Sequence, residues 1–414
     1  LSIKTDAGNT KATINHSLFT GRSFYQLSSA LWSAAIDMHA TVAIWRLPHT
    51  NDLNLLIDFT AQPQPGTLDI QSGKNGFAVS PFVNPKSDNS YFFRPHIHII
   101  FQENKVIVHP TDEAPEAFWG LFKLYLLKPK KALQVHQAQP VKLGLSEDQI
   151  HFIKQVDSAL KLINSKLLEK VVISRTLEQS LSKQLDLITL LCRLSDRHRD
   201  AFISLISIPD LGTWMGASPE LLVEVNTAKF FRTVSLAGTQ AYPMDAPLSE
   251  AVWTQKEIEE QAIVSRYIVA QFKSIRLREF QETGPRSIRA GSLIHLKSEY
   301  HVDLKAQPYP RLGDIMLQLL HPTSAICGMP KQTAQDFIAS HEDLERGLYG
   351  GFLGPVNIQG RSQLYVNLRC MQISPTQVVY YSGAGITHDS VAEKEWQETE
   401  LKIKTLQDVV NARH

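Results

Sequence analysis

Cysteine is scarce. The three in the chain, Cys192, Cys327 and Cys370, lie far apart and never in CxxC spacing. Such a set supports neither a disulfide framework nor a structural zinc site, and a reduced, cytoplasmic setting is the expectation. Charge of one sign is lacking as well. Lys and Arg number 42 against 41 Asp and Glu, a formal net charge of +1, which gives no electrostatic reason to expect nucleic acid or an anionic membrane as partner. No window reaches the roughly 18 uninterrupted apolar residues that a membrane span needs. Leu1 to His16 is polar and has no apolar stretch of the secretory kind. Position 1 is Leu rather than Met, so a few residues are expected to precede it. Several catalytic signatures are missing too: there is no Walker A loop, no HExxH and no GxSxG. Ser382-Gly383-Ala384-Gly385-Ile386 holds a Gly-x-Gly without the rest of the dinucleotide fingerprint, and no acidic residue follows at the expected distance. These absences remove the commonest nucleotide, NAD, zinc-protease and hydrolase readings.

What remains is 414 residues of ordinary globular composition, 43% apolar and 20% charged, enough for one large core or two smaller ones. Residues 1–140 read as a β-rich portion. Thr41-Val42-Ala43-Ile44-Trp45 and His96-Ile97-His98-Ile99-Ile100 have strand composition, and Pro63-Gln64-Pro65-Gly66 reads as a turn. His96 and His98 would share a strand face, but no third metal ligand is near and an ordinary strand is preferred. Residues 141–414 change in character. Ser146 with Gln149 fits a capping box, and Ile150, Ile153, Ala159, Leu160 and Ile163 follow at helical spacing to about Asn164. A β-branched run from Lys170 to Arg175 comes next. Helices and strands then mix without regular alternation, which predicts an α+β fold rather than a doubly wound one.

Carboxylates stand at spacings that would converge on a helix. Glu260 precedes the apolar Ile263 and Val264 by three and four residues, so it is expected at the edge of a buried stripe. Glu395, Glu398 and Lys402 fall at i, i+3 and i+7, on one helix face. Two such faces meeting would make a hard, oxygen-rich site suited to Mg²⁺. A solvated face laced with salt bridges has the same spacing, and spacing alone does not decide.

Read in order, the C-terminal two thirds resembles the chorismate-utilising enzymes, the family of isochorismate, salicylate, anthranilate and aminodeoxychorismate synthases. The stretches that carry the resemblance begin with Lys170-Val-Val-Ile-Ser-Arg175, Ala217-Ser-Pro-Glu-Leu-Leu222, Leu236-Ala-Gly-Thr239 and Glu260-Gln261. They continue with His321-Pro-Thr-Ser-Ala-Ile-Cys-Gly328, Arg346-Gly-Leu-Tyr-Gly-Gly351, Asn367-Leu-Arg-Cys370, Ser382 to Ile386, and Glu395-Trp-Gln-Glu-Thr399 with Lys402. Upstream, Trp45-Arg-Leu-Pro48 and Gly76 to Phe82 look like the N-terminal part of the isochorismate branch.

The resemblance implies one large α+β domain of two packed β-sheets wrapped by helices, with residues 1–140 part of the same fold and 141–414 its catalytic portion. It implies that Glu260 and Glu398 ligate Mg²⁺ with Glu395 close by, and that the metal holds the ring carboxylate of chorismate. Arg369, Lys402 and backbone N–H groups near Gly385 would hold the substrate's carboxylates, and Gly238 and Thr239 would line the same pocket. A dicarboxylate calls for cations and backbone donors, so the chemistry agrees. Lys170 stands where the water-adding members carry a lysine base and anthranilate synthases carry Gln. Glu220 looks like the acid that protonates the departing hydroxyl, a role that needs a raised pKa. Ala325 stands where relatives that go on to expel pyruvate tend to have Thr, which favours release of isochorismate over salicylate. Menaquinone, siderophore and salicylate formation all begin from that product. A monomer is the family habit. Gln261, where many relatives have His, and Ser324, often Pro or Gly, are departures without expected chemistry.

Overall fold

The computed structural model describes residues 2–4, 18–60, 68–82, 90–103, 105–110, 114–130, 132–138, 148–226, 229–243, 245–290 and 293–412. The turn read at Pro63 to Gly66 and the cap read at Ser146 lie outside these. In chain order the elements are β1 (Ser2–Lys4), α1 (Phe24–Asp37), β2 (Thr41–Arg46), β3 (Leu53–Asp58), β4 (Gly76–Ser80), β5 (Tyr91–Phe93), β6 (Ile97–Gln102), β7 (Lys105–Pro110) and α2 (Glu116–Leu127). There follow α3 (Gln149–Asn164), β8 (Lys170–Ser180), α4 (Leu187–Arg197), β9 (Phe202–Ile208), β10 (Gly212–Ser218), β11 (Leu221–Asn226) and β12 (Phe230–Ala241). The rest are α5 (Gln255–Ser274), β13 (Gln281–Ala290), β14 (Leu293–Asp303), α6 (Leu312–Leu320), β15 (Gly328–Met329), α7 (Lys331–His341), β16 (Phe352–Val356), β17 (Ser362–Val366), β18 (Cys370–Ile373), β19 (Gln377–Ile386) and α8 (Ala392–Asn411).

Helix starts follow local chemistry. Asp148 caps α3, accepting from the N–H groups of Ile150 and His151. Thr254 and Glu257 form a capping box that fixes the start of α5. The strands make an eleven-stranded sheet, β1-β7-β6-β3-β2-β9-β10-β18-β19-β8-β15, and an eight-stranded one, β13-β14-β12-β11-β17-β16-β4-β5. Neighbours are antiparallel except β1 with β7. This is the expected α+β architecture of two packed sheets with helices around them.

Trp45, Ile206 and Trp214 of the larger sheet share one buried cluster with Phe77, Val223 and Leu364 of the smaller. Ring pairs bridge the sheets, Trp45 with Phe77 at 5.0 Å between centroids and Phe202 stacked on Tyr365 at 4.3 Å. On the opposite face of the larger sheet, Trp32 of α1, Phe122 of α2, Leu191 of α4 and Leu406 of α8 pack against Ile44 and Leu205. β2 is therefore buried on both faces, which is why its centre, Val42 to Trp45, is an unbroken apolar run rather than an alternation.

Strands from before residue 140 enter both sheets: β2 pairs with β9, and β4 with β16. The guanidinium of Arg46 adds to this join by donating to the carbonyls of His198, Arg199 and Ala201. His96 falls just before β6 and contacts Asp58 at 3.0 Å, while His98 reaches Asn54 at 3.1 Å and stacks on Trp45. Each histidine thus has its own partner in the packing.

Candidate active site

A cleft opens where the two sheets part. β18 pairs with β19 only over Val378–Tyr380, whereas β8 runs beside β19 to Ile386. Among the described residues, no strand covers the far edge of Ser382–Gly385, and Gly383 and Gly385 line the cleft. The chain crosses from the larger sheet to the smaller at Pro219-Glu220, between β10 and β11. It returns at Asn367-Leu368-Arg369, between β17 and β18. These crossovers are tied together. Val366 N–H donates to Glu220 O at 3.0 Å, Ala217 N–H to Arg369 O at 3.0 Å, and Ser218 Oγ to Val366 O at 2.5 Å. Glu220 and Arg369 are thereby held at the seam of the two sheets, Arg369 at a φ of +46° that a non-glycine residue adopts only under constraint.

The opposite wall is built by a bulge. The register of β12 against β14 shifts between Ala237 and Gln240, and Gly238 takes a φ of +67° there. Bulges re-aim backbone and side chains, and this one turns Gly238 and Thr239 into the cleft. His295 on β14 donates from Nδ1 to Gly238 O at 2.8 Å and accepts at Nε2 from Arg369 Nη2. Burial, with Arg369 adding to it, pushes the His295 pKa well below its ordinary value, so the ring is neutral and this tautomer is the one the bonds require. Arg369 also donates to Ala290 O at 3.1 Å, and burial brings its guanidinium down to about 10. Ala325 and Ile326, in the loop after α6, close the cleft on a third side; its empty space, counted out to open solvent, is about 640 Å³.

Three lysines face three glutamates at one end. Lys170 Nζ, wholly buried at the start of β8, donates to Glu260 Oε1 of α5 at 2.8 Å. Lys256, also of α5, lies 2.8 Å from Glu395 and 3.6 Å from Glu398 of α8. Lys402 contacts Glu398 at 2.8 Å and donates to Gly383 O at 2.8 Å. The carboxyls answer differently to this field. Burial would push Glu260 up, but Lys170, Lys256 and Lys402 outweigh it and hold the group at about 2. Burial, joined by Glu398 and only partly opposed by Lys256, carries Glu395 to about 7. Glu220 is buried and has no carboxylate bond to a lysine; desolvation lifts it to about 8 against the weaker pull of Lys170 and Lys402. At neutral pH Glu220 keeps its proton while Glu260 is ionised.

Of the residues singled out in the sequence, Glu220, Gly238, Thr239, Glu260, Ala325, Arg369, Gly385 and Lys402 line the cleft itself. Lys170 stands one layer behind, joined to it through Glu260. Glu395 and Glu398 line the adjoining groove between α5 and α8, which shares Thr239 with the cleft. Glu260 is not at the edge of a buried stripe; it is buried outright, because the lysines neutralise it. Glycine at 385 is enforced by this packing, since a Cβ there would overlap Glu260 Oε1 and lie 2.8 Å from Lys170 Cε. As a donor set the carboxylates suit a hard cation, and the Lys256 ammonium already stands as one between Glu395 and Glu398. Among the described residues, no three such side chains stand at the separations of a formed metal site.

Two site residues went unread. Lys256 precedes Glu260 by one helical turn, a spacing visible in the sequence but shared by many solvated ion pairs. His295 sits in a strand with no local signal.

The family model described as "Chorismate binding enzyme" matches residues 88–411. The chain belongs to that family of enzymes. It is 29% identical over 267 residues to the isochorismate synthase EntC of Escherichia coli strain K12, covering 63% of this chain and 67% of that one. To the vibriobactin-specific isochorismate synthase of Vibrio cholerae it is 26% identical over 274 residues, 65% and 68% of the two chains. The solved structure of MenF, the menaquinone-specific isochorismate synthase from Escherichia coli, superposes with a TM-score of 0.72 at 20% identity over 92% of this chain and 91% of that one. At that identity the superposition speaks to the fold.

Proposed function

We propose that the protein isomerises chorismate to isochorismate with Mg²⁺. Water adds at ring carbon 2, the ring double bonds shift, and the hydroxyl at carbon 4 leaves as water. One observation carries the reading: Glu220, a buried carboxyl that retains its proton up to about pH 8, shares a cleft with cations suited to a dicarboxylate, and a buried lysine stands one layer behind its wall. In its neutral form Lys170 accepts a proton from the attacking water, and Glu220 delivers its own to the departing hydroxyl. One proton is taken and one given, and one water enters as another departs, so substrate and product have the same composition.

Arg369 and Lys402 are the cationic partners for the substrate's carboxylates, with the neutral His295 fixing the orientation of the guanidinium. Glu260 and Glu398 would hold Mg²⁺, with Glu395 beside them, and the bound ion would neutralise the ring carboxylate. Ala325 offers no hydroxyl to the cleft, which favours release of isochorismate over its conversion to salicylate and pyruvate. Relatives named as isochorismate synthases support this choice of branch.

The test is an incubation of the purified protein with chorismate and Mg²⁺, products separated by chromatography, with an EDTA control. A mixture of chorismate and isochorismate, without pyruvate and without turnover in EDTA, is expected. Salicylate with pyruvate would overturn the branch assignment, and full turnover in EDTA would overturn the role of the metal.

A further inference from the structure

Lys256 is the one cation of the cluster with no place in the reaction above. Its ammonium lies 2.8 Å from Glu395 and 3.6 Å from Glu398, bridging two carboxylates one turn apart on α8. The side chain comes from α5, the helix that also carries Glu260. Glu395 and Glu398 of α8 hold this charge in contact, and Glu260 of α5 acts on it electrostatically from further off, so the ammonium occupies the side of the cluster on which a divalent ion would draw on the same residues. The charges also balance. In the resting ion-paired state, before Lys170 gives up the proton it must lose to act as a base, Glu260, Glu395 and Glu398 stand against Lys170, Lys256 and Lys402. A metal ion entering alone adds two charges to a set already compensated. Entry is favourable only if an ammonium gives up its carboxylates. Lys256 is the member free to do so. Lys170 is enclosed completely and Lys402, though 24% exposed, is also held by Gly383 O, whereas Lys256, 18% exposed, contacts the two carboxylates alone and borders the open groove between α5 and α8.

We propose that Lys256 is a tethered cation that holds Glu395 and Glu398 together in the metal-free protein and competes with the metal for them. The proposal rests on the reading of these glutamates as metal ligands. Its consequences are opposite for folding and for binding. Without Lys256 the metal-free cluster carries uncompensated buried carboxylates, so the protein loses stability in EDTA. By the same token the metal loses its competitor, and the ion alone binds more tightly.

Mn²⁺ binding, followed by the electron paramagnetic resonance of the free ion with no substrate present, separates these effects from turnover. Lys256→Met is expected to tighten Mn²⁺ binding roughly tenfold or more, in the range ordinary for coupled events. Lys256→Gln, which keeps a polar group at the position, serves as a second neutral variant should the first fail to fold. Lys256→Arg retains the competing charge and should bind no more tightly than the wild type. If the neutral variants bind no tighter than wild type while Glu398→Gln weakens binding, the metal site stands and the competitor role falls. If Glu398→Gln leaves wild-type binding unchanged, the reading of the metal ligands fails, and the proposal with it.

Discussion

The role of acid proposed for Glu220 requires a carboxyl protonated near neutral pH, and burial supplies this by lifting its pKa from the ordinary 4.5 to about 8. The folded carboxyl therefore binds its proton more tightly than the unfolded one. Between about pH 4.5 and 8 the unfolded chain is ionised there and the folded protein is not, so the contribution to stability is full below that window and declines as pH rises through it. Turnover should fall over the upper end of the same range, as Glu220 loses the proton it must donate. Glu220→Gln removes both effects. It is expected to lower kcat by roughly 10²–10⁴-fold, as loss of a general acid does, and to raise Tm at pH 8 by roughly 1–3 °C. Calorimetry of the two proteins at pH 5 and pH 8 checks the sign: the variant's advantage should appear at the higher pH. Lys170→Ala should abolish turnover comparably, but leave Glu260 without its closest partner and so lower Tm at either pH.

At the scale of elements, the site is made where regular pairing stops. β18 leaves β19 after Tyr380, β12 bulges at Gly238, and the chain changes sheets at Glu220 and again at Arg369. Each irregularity frees backbone or turns a side chain into the cleft, and the flanking ladders hold it in place. β19 is the most constrained, since the Lys170–Glu260 pair packs directly on Gly385. Gly385→Ala introduces a methyl where Glu260 Oε1 now lies, displacing the pair by about an ångström. Misplacement on this scale costs on the order of 10²-fold in rate. Steady-state kinetics should show that loss with circular dichroism unchanged; a variant within twofold of wild type would mean that the pair can move without consequence.

For the whole molecule, the parts legible in the sequence were those written locally. Strand composition at Thr41 to Trp45, the helix ending at Asn164 and the shared face of Glu398 and Lys402 are all short-range patterns, and the structure has them. Most of the residues that line or back the cleft fall in ordered short motifs, because no single stretch contains it: Lys170, Glu260 and Gly385 come from three elements far apart in the chain. Long-range facts left no such trace. The pairing of β2 with β9 joins the N-terminal portion to the centre of the larger sheet, and no local pattern announces it. Nor does spacing show that Glu260 is buried rather than at an edge: Lys256 is one turn away on the same helix, but Lys170 of β8 and Lys402 of α8 come from distant parts of the chain. His295 was silent for the same reason, its partners being a bulge on β12 and the crossover at Arg369.

In the proposed reaction solvent water, activated on one side of the ring, replaces a hydroxyl protonated by Glu220. Its most direct test is turnover of chorismate in ¹⁸O-labelled water with mass spectrometry of the isochorismate. Incorporation of one solvent oxygen, at carbon 2, is predicted. Unlabelled isochorismate would mean that the hydroxyl migrates within the substrate, and the assignment of Lys170 and Glu220 as base and acid for two separate waters would be wrong.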